Sequence, residues 1–364
     1  MTDYTALLGE LAVPRLVGSP NHARVRAALT RELAARGFAV EEHRFPASPD
    51  ALWAVALSGV VLAWGALLAV PLAALPGTGM LLACWVLTLE VGLLVFARAA
   101  SRGLRLTSHS VSGVNLVAVR PHTSVAVWFT GHYDSKGQPL SMATRLVGAL
   151  LAGLGFVALL GLVALRVRRG AEGGWEPAWI GLAAPALLGG LLLSRNRPTN
   201  DSAGAVDNAT ALVTILAAVD ALPPDAAVGV IFPDAEEYGL LGARALVRER
   251  PALFRETAVL NFDGIDDRGA PIACLHRPGA TTEAVVRALR ARRARLLPAL
   301  VDGLAFARVA RECLTIMRGD WGTARIVHTP RDTADRLTLG GSREVVTAVA
   351  QALRSAAFRP PVTR

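Results

Sequence analysis

Two pairs of long, charge-poor apolar segments interrupt an otherwise ordinary alternation of short strands and helices, and they limit what this chain can fold into. They run from Leu52 to Leu72, Met80 to Ala97, Leu146 to Leu165 and Ala178 to Leu193, and Glu90 is their only charged residue. The first three reach the roughly 20 residues a helix needs to cross hydrocarbon; the fourth is short but within range. A soluble domain can bury one helix this apolar. Four of them predict two membrane hairpins, residues 51–98 and 140–197, and an integral membrane protein with four spans, in a bacterial plasma membrane. Trp53, Trp175 and Trp179 stand at segment ends, where amphipathic rings suit the interface. The same segments explain a composition that is 52% hydrophobic.

The remaining stretches, 1–50, 99–139 and 198–364, amount to roughly 260 residues, enough for one discontinuous α/β domain with a full core. Ser19-Pro20 opens a helix over Asn21 to Arg36, with Gly37 as its stop. Strands are predicted at Phe38 to Phe45, Val114 to Val119, Val125 to Thr130, Ala227 to Pro233, Ala258 to Asp263 and Leu314 to Met317. Between and after them, helices are predicted at Asn208 to Leu222, Gly239 to Glu249, Thr282 to Leu297 and Ser342 to Ala357. Strands alternating with helices imply a mostly parallel sheet covered on both faces.

A net charge of +9 raises nucleic acid as a partner, but the arginines are scattered. Only Arg287 to Arg295 is dense; it reads as a solvated helix face, and no base-stacking aromatic motif accompanies it. Three widely spaced cysteines, Cys84, Cys274 and Cys313, indicate neither a disulfide framework nor a thiolate metal site. No signal peptide is expected, because no charged start precedes an apolar core. The bilayer is the partner these segments lead one to expect; the oligomeric state is not legible.

Chemistry concentrates in five short segments: Gly131-His132-Tyr133-Asp134-Ser135, Asp207-Asn208, Glu236-Glu237-Tyr238-Gly239, Asn261-Phe262-Asp263 and His328-Thr329-Pro330-Arg331-Asp332-Thr333. Each follows or borders an apolar run that reads as a strand, so their side chains are expected to converge at one sheet edge. A two-metal site needs a bridging carboxylate, and Asp207, at a helix start, is the best candidate. His132 fits one ion, with Asp134 orienting its imidazole. Of the adjacent Glu236 and Glu237, one can ligate while the other takes a proton from water. Asp263 and His328 complete the two sets. Each motif alone has a bland reading: a helix cap, solvated acids, a core histidine. Together they predict a metal-dependent hydrolase.

The segments resemble the double-zinc aminopeptidase family, which includes bacterial leucyl aminopeptidases, glutamate carboxypeptidases, glutaminyl cyclases and some membrane-bound metallopeptidases. The resemblance implies a zinc-peptidase-like fold and two divalent ions, of which zinc is the expected metal. It implies His132, Asp207 and Asp263 around one ion, Asp207, Glu237 and His328 around the other, Glu236 as general base and Asp134 as the acid behind His132. Val301-Asp302-Gly303 through Phe306 is similar to the family's stretch before its last strand. Two departures stand out: the separation of His132 from Asp207, and Ala209-Thr210-Ala211 after Asp207-Asn208 in place of a small Ser-Gly pair. The activity implied is release of N-terminal residues from peptides. A glutaminyl-cyclase-like acyltransferase and an inactive receptor with a peptidase fold are the alternatives.

The hairpin flanks carry Arg44, Arg98, Arg102, Arg105, Lys136, Arg145, Arg195 and Arg197, against Arg166, Arg168 and Arg169 on the far side. The positive-inside rule then puts the catalytic domain in the cytoplasm. Val114 to Val119 meets Val125 to Thr130 through a tight turn and should run antiparallel to it. Both hairpins would then leave from the catalytic edge, and the site would face the bilayer.

Overall fold

The structure, a computed structural model, describes residues 2–74, 79–100, 110–169, 176–295, 297 and 299–354. Arg102, Arg105, Trp175 and the last residues of the closing helix expected at Ser342 to Ala357 lie outside them. The strands are β1 (Ala39–Ala47), β2 (Val111–Val119), β3 (Val127–Thr130), β4 (Val228–Phe232), β5 (Ala258–Ile265), β6 (Ala270–Arg277), β7 (Arg292–Ala294) and β8 (Glu312–Gly319). The first helices are α1 (Tyr4–Leu11), α2 (Pro20–Ala35), α3 (Ala54–Ala74), α4 (Gly79–Ala100), α5 (Met142–Arg169) and α6 (Glu176–Ser194). After them come α7 (Thr210–Asp220), α8 (Leu241–Glu249), α9 (Ala280–Leu289), α10 (Gly303–Phe306), α11 (Trp321–Ala324) and α12 (Gly340–Arg354).

The chain divides into two units. One comprises Met1–Pro49, Thr107–Gly137 and Thr199–Arg364; the other, Asp50–Leu106 and Gln138–Pro198. The first unit is built on an eight-stranded sheet in the order β1-β2-β4-β3-β5-β8-β6-β7. Its centre, β4-β3-β5-β8, is parallel, while β1, β2 and β6 join antiparallel. Central strands are apolar on both faces, as a covered parallel sheet requires. Phe129, Leu260, Phe262 and Leu314 belong to the core cluster that also takes in α1, α2, α7, α9 and α12. Their strand neighbours Trp128, Val259 and Cys313 belong to the cluster with α8 and Phe306.

β2 and β3 run in opposite directions, as expected, but they do not pair, because β4 lies between them. Ala47 pairs with Val111, and Leu116 of β2 pairs with Phe232 at the end of β4. The first excursion out of this unit therefore departs from the edge where β3, β4 and β5 end. The second departs and returns at Gly137 and Thr199, which exchange two backbone hydrogen bonds of 2.8 Å.

Among the described residues, five of these elements escape sequence reading: α1, α10, α11, β6 and β7. The arginine run is not one helix face. α9 stops at Leu289, Arg290 takes a left-handed φ of 50°, and Arg292–Ala294 becomes the edge strand β7 beside β6.

The second unit is helical and packs small residues inward. A Cβ at Gly59 of α3 would meet Ser194 N at 2.3 Å, and one at Gly155 of α5 would meet Ala186 N of α6 at 2.6 Å. Close backbone approach of this kind is how helices pack in lipid. Large apolar side chains point out instead: Leu81, Leu94 and Leu154 are 68%, 71% and 67% exposed. Among the described residues, two helical segments, Pro49–Ala69 and Met142–Leu165, are long and apolar enough to cross a membrane, and Met80–Val95 and Trp179–Ser194 are shorter apolar helices.

Candidate metal centre

His132 lies just past β3 and Glu236 and Glu237 just past β4, at the carboxyl edge of the parallel strands. Asp263 sits near the end of β5, where the register with β8 shifts between Phe262 and Ile265, an irregularity that re-aims side chains. Asp207 lies in a π-helical turn, Ala205–Ala209, ahead of α7, and its peptide bond to Asn208 is cis. His328 follows α11 with a φ of 64°.

All five candidate ligands converge. One potential ligand atom from each of His132, Asp207 and Asp263 lies within 4.8 Å of the others, and the same holds for Asp207, Glu237 and His328. Asp207 is common to both groups and faces both histidines: Oδ1 is 3.1 Å from His132 Nε2, and Oδ2 is 2.8 Å from His328 Nε2. Glu237 Oε1 is 3.0 Å from the same His328 nitrogen. Glu236, also buried, brings Oε2 to 4.0 Å from His132 Nε2.

The loops are held by polar groups that saturate one another. Asp134 does more than face His132. Its carbonyl lies 3.2 Å from His132 Nδ1, while its carboxylate accepts the backbone N–H groups of Glu236 and Glu237 at 3.1 and 3.2 Å. Asp332 does the same for the Asp207 turn, accepting the N–H groups of Val206 and Asp207 at 2.8 and 3.2 Å. Asn208 ties that turn to β5 through Phe262 O and Gly264 N.

Arg15, fully buried, is the most consequential residue that sequence reading passes over. Its Nε donates to Tyr133 O at 2.7 Å, and its Nη1 and Nη2 donate to Ala203 O and Gly204 O at 2.5 and 3.1 Å. One guanidinium thus joins the His132 segment to the Asp207 segment. Asp302 is the second such residue. It is 1% exposed, neither carboxyl oxygen has a hydrogen-bond partner among the described residues, and burial lifts its pKa to about 7. Lys136 is a third, with Nζ 2.8 Å from Glu237 Oε2. The sequence marked Asp302 only as part of a family-like stretch and Lys136 only as a flank charge; no local pattern pairs them with the site.

The electrostatics of this cluster suit a cation. Burial pushes Glu236 and Asp263 well above the usual carboxylate range, and repulsion from neighbouring acids adds to it. Burial acts the same way on Asp207 and Glu237, but there the histidines win, holding Asp207 well below its ordinary value and Glu237, with help from Lys136, at about 2. For His132, burial favours the neutral ring, yet Glu236, Asp134 and Asp207 raise its pKa well above normal. Glu237 Oε1, despite its nearness to His328, accepts no directed hydrogen bond. A crowd of buried carboxylates and imidazoles sharing one bridging acid fits divalent cations, which relieve the repulsion and let every acid ionise.

Fold and site together define a zinc-peptidase-like α/β protein with a carboxylate–histidine centre at the sheet edge. Residues 193–353 match the model of peptidase family M28, the family that the motifs resemble. Solved structures agree on the fold. An aminopeptidase from Aneurinibacillus sp. strain AM-1 aligns over 98% of this chain and 95% of its own at 12% identity, with a TM-score of 0.56. A zinc aminopeptidase from Bacillus subtilis aligns over 99% and 96% at 12% identity and 0.55. The glutaminyl cyclase of Porphyromonas gingivalis aligns over 96% of each chain at 14% identity and 0.55. No match is found among curated protein sequences.

Proposed function

We propose that this chain is a membrane-anchored, two-metal aminopeptidase that removes N-terminal residues from peptides. The observation that carries the reading is the pair of ligand triads sharing Asp207, with Glu236 beside them and committed to neither. His132, Asp207 and Asp263 would hold one ion and Asp207, Glu237 and His328 the other. Zinc is the metal, by likeness to the zinc aminopeptidase of Bacillus subtilis. Bound there, the ions would supply Lewis acidity to the scissile carbonyl and to the attacking water. Glu236, buried among other acids, is the base that takes the water's proton and hands it to the leaving amine. Asp134 keeps Glu236, Glu237 and His132 in register during that transfer.

The four apolar helices span the bilayer, a reading supported by their small-residue contacts and outward leucines. The charge bias of the flanks puts the catalytic unit in the cytoplasm. Both excursions into the helical unit depart from the sheet edge that carries the ligand loops, which supports a site presented to peptides at the bilayer surface. The peptide and the lipid are its partners, and nucleic acid is not.

The test is metal analysis of purified protein together with a panel of peptides that includes N-terminal glutamine. Two equivalents of zinc and release of free amino acids are expected. Loss of ammonia from the glutamine peptide, leaving a cyclised N-terminus, would instead mean a glutaminyl-cyclase-like acyltransferase. Metal-free protein inert on every peptide would mean a receptor or scaffold. A C-terminal reporter active only outside the cytoplasm would overturn the sidedness, and equal rates on micelle-bound and soluble peptides would reduce the spans to a tether.

A further inference from the structure

The two triads differ in one respect. Glu237 divides its oxygens: Oε1 faces His328 at 3.0 Å, and Oε2 takes the Lys136 ammonium at 2.8 Å. Asp263, its counterpart in the other triad, has no ammonium or guanidinium within ion-pair distance among the described residues. Lys136 is also held rather than loose. Its side chain is 13% exposed, and its backbone is pinned on both sides. On one side Ser135 N donates to Arg15 O at 3.3 Å and its Oγ to Ser202 O at 3.3 Å; on the other, Gly137 is locked to Thr199.

We propose that Lys136 is a positioning residue for the ion at Asp207, Glu237 and His328: by occupying Oε2 it makes Glu237 a one-oxygen ligand aimed through Oε1. The inference rests on the two-metal reading and adds to it a difference between the two ions. A carboxylate free at both oxygens can swing to chelate one ion or turn away from it. With one oxygen spoken for, the other has a fixed direction, and its neighbours His328 and Asp207 define the position it serves. Partners of this kind around a ligand are worth about 10- to 100-fold in metal affinity. The opposing effect is repulsion between the ammonium and a nearby dication, which predicts the reverse sign. The two are separable by experiment.

Full-length protein in detergent, stripped of metal, is titrated with zinc against a chromophoric chelator. The wild type, Lys136→Met, Lys136→Arg and Asp263→Asn are compared, and the melting temperature of each metal-free protein is recorded. Two stepwise affinities are expected for the wild type. Lys136→Met should weaken one of them by about 10- to 100-fold and spare the other. Asp263→Asn should weaken the one that Lys136→Met spares. Arginine still donates to a carboxylate, so Lys136→Arg should recover most of the loss, which a merely structural lysine would not predict. Tighter binding in Lys136→Met, or equal weakening of both steps, overturns the proposal. So does binding like the wild type's, which leaves the metallopeptidase reading intact. A wild type that binds no zinc removes both.

Discussion

A carboxylate oxygen of Asp134 accepts the backbone N–H of Glu236 at 3.1 Å, so the segment that carries His132 also fixes the main chain of the proposed base. Asparagine at this position is the same size but turns one acceptor into a donor facing an N–H group. Asp134→Asn should therefore cost about 10- to 100-fold in activity, with metal content falling in parallel. Peptide kinetics and metal analysis on the same preparation check it; wild-type rates would remove Asp134 from the machinery.

Glu236 can be tested apart from the ligands. Glu236→Gln keeps size and polarity but cannot take a proton, so both ions should remain bound while turnover falls by about 10² to 10⁴. Unchanged turnover would end its assignment as base.

Arg15→Lys keeps the charge and loses the fork. Lysine cannot reach Tyr133 O, Ala203 O and Gly204 O together, and each buried carbonyl left without a donor costs about 1 to 3 kcal/mol. Chemical denaturation of the metal-free protein should show a loss of at least about 2 kcal/mol. Identical midpoints and slopes would mean that the loops hold themselves.

Asp332 makes a pH prediction. Burial is the larger influence and lifts its pKa from 3.8 to about 6, although the N–H groups of Val206 and Asp207 pull the other way. A carboxyl whose pKa is raised on folding binds its proton more tightly in the folded state. Its contribution to stability is therefore full below about pH 4 and is lost as pH rises through about 6. Metal-free wild type should lose on the order of 3 kcal/mol relative to Asp332→Asn between about pH 4 and pH 7. Melting curves across that range check it, and a constant difference would contradict it.

Much of this molecule was legible in its sequence wherever the physics is local. Ser19 and Pro20 open α2 as their chemistry requires, with the Ser19 hydroxyl accepting His22 N at 3.3 Å. Apolar runs such as Val228 to Phe232 became buried strands, and His132, Glu236, Glu237 and Asp263 stand at or just past strand ends, whereas Asp207 sits in a turn ahead of α7 and His328 follows α11. The arginine run misled because Arg290 breaks the helix and β6 offers an edge, neither of which a charge pattern records.

What tertiary structure alone decided is which distant groups meet. Local sequence encodes backbone preference and burial, since both depend on neighbours within a turn or a strand. It does not encode the partner of a buried charge. Arg15 meets carbonyls at residues 133, 203 and 204, Asp134 meets amides at 236 and 237, and Lys136 meets Glu237. These pairings form because a desolvated polar group must find a complement wherever the packed chain supplies one. With β4 inserted between β2 and β3, the Glu236 loop comes to lie beside the His132 loop, and that adjacency is a property of the assembled sheet.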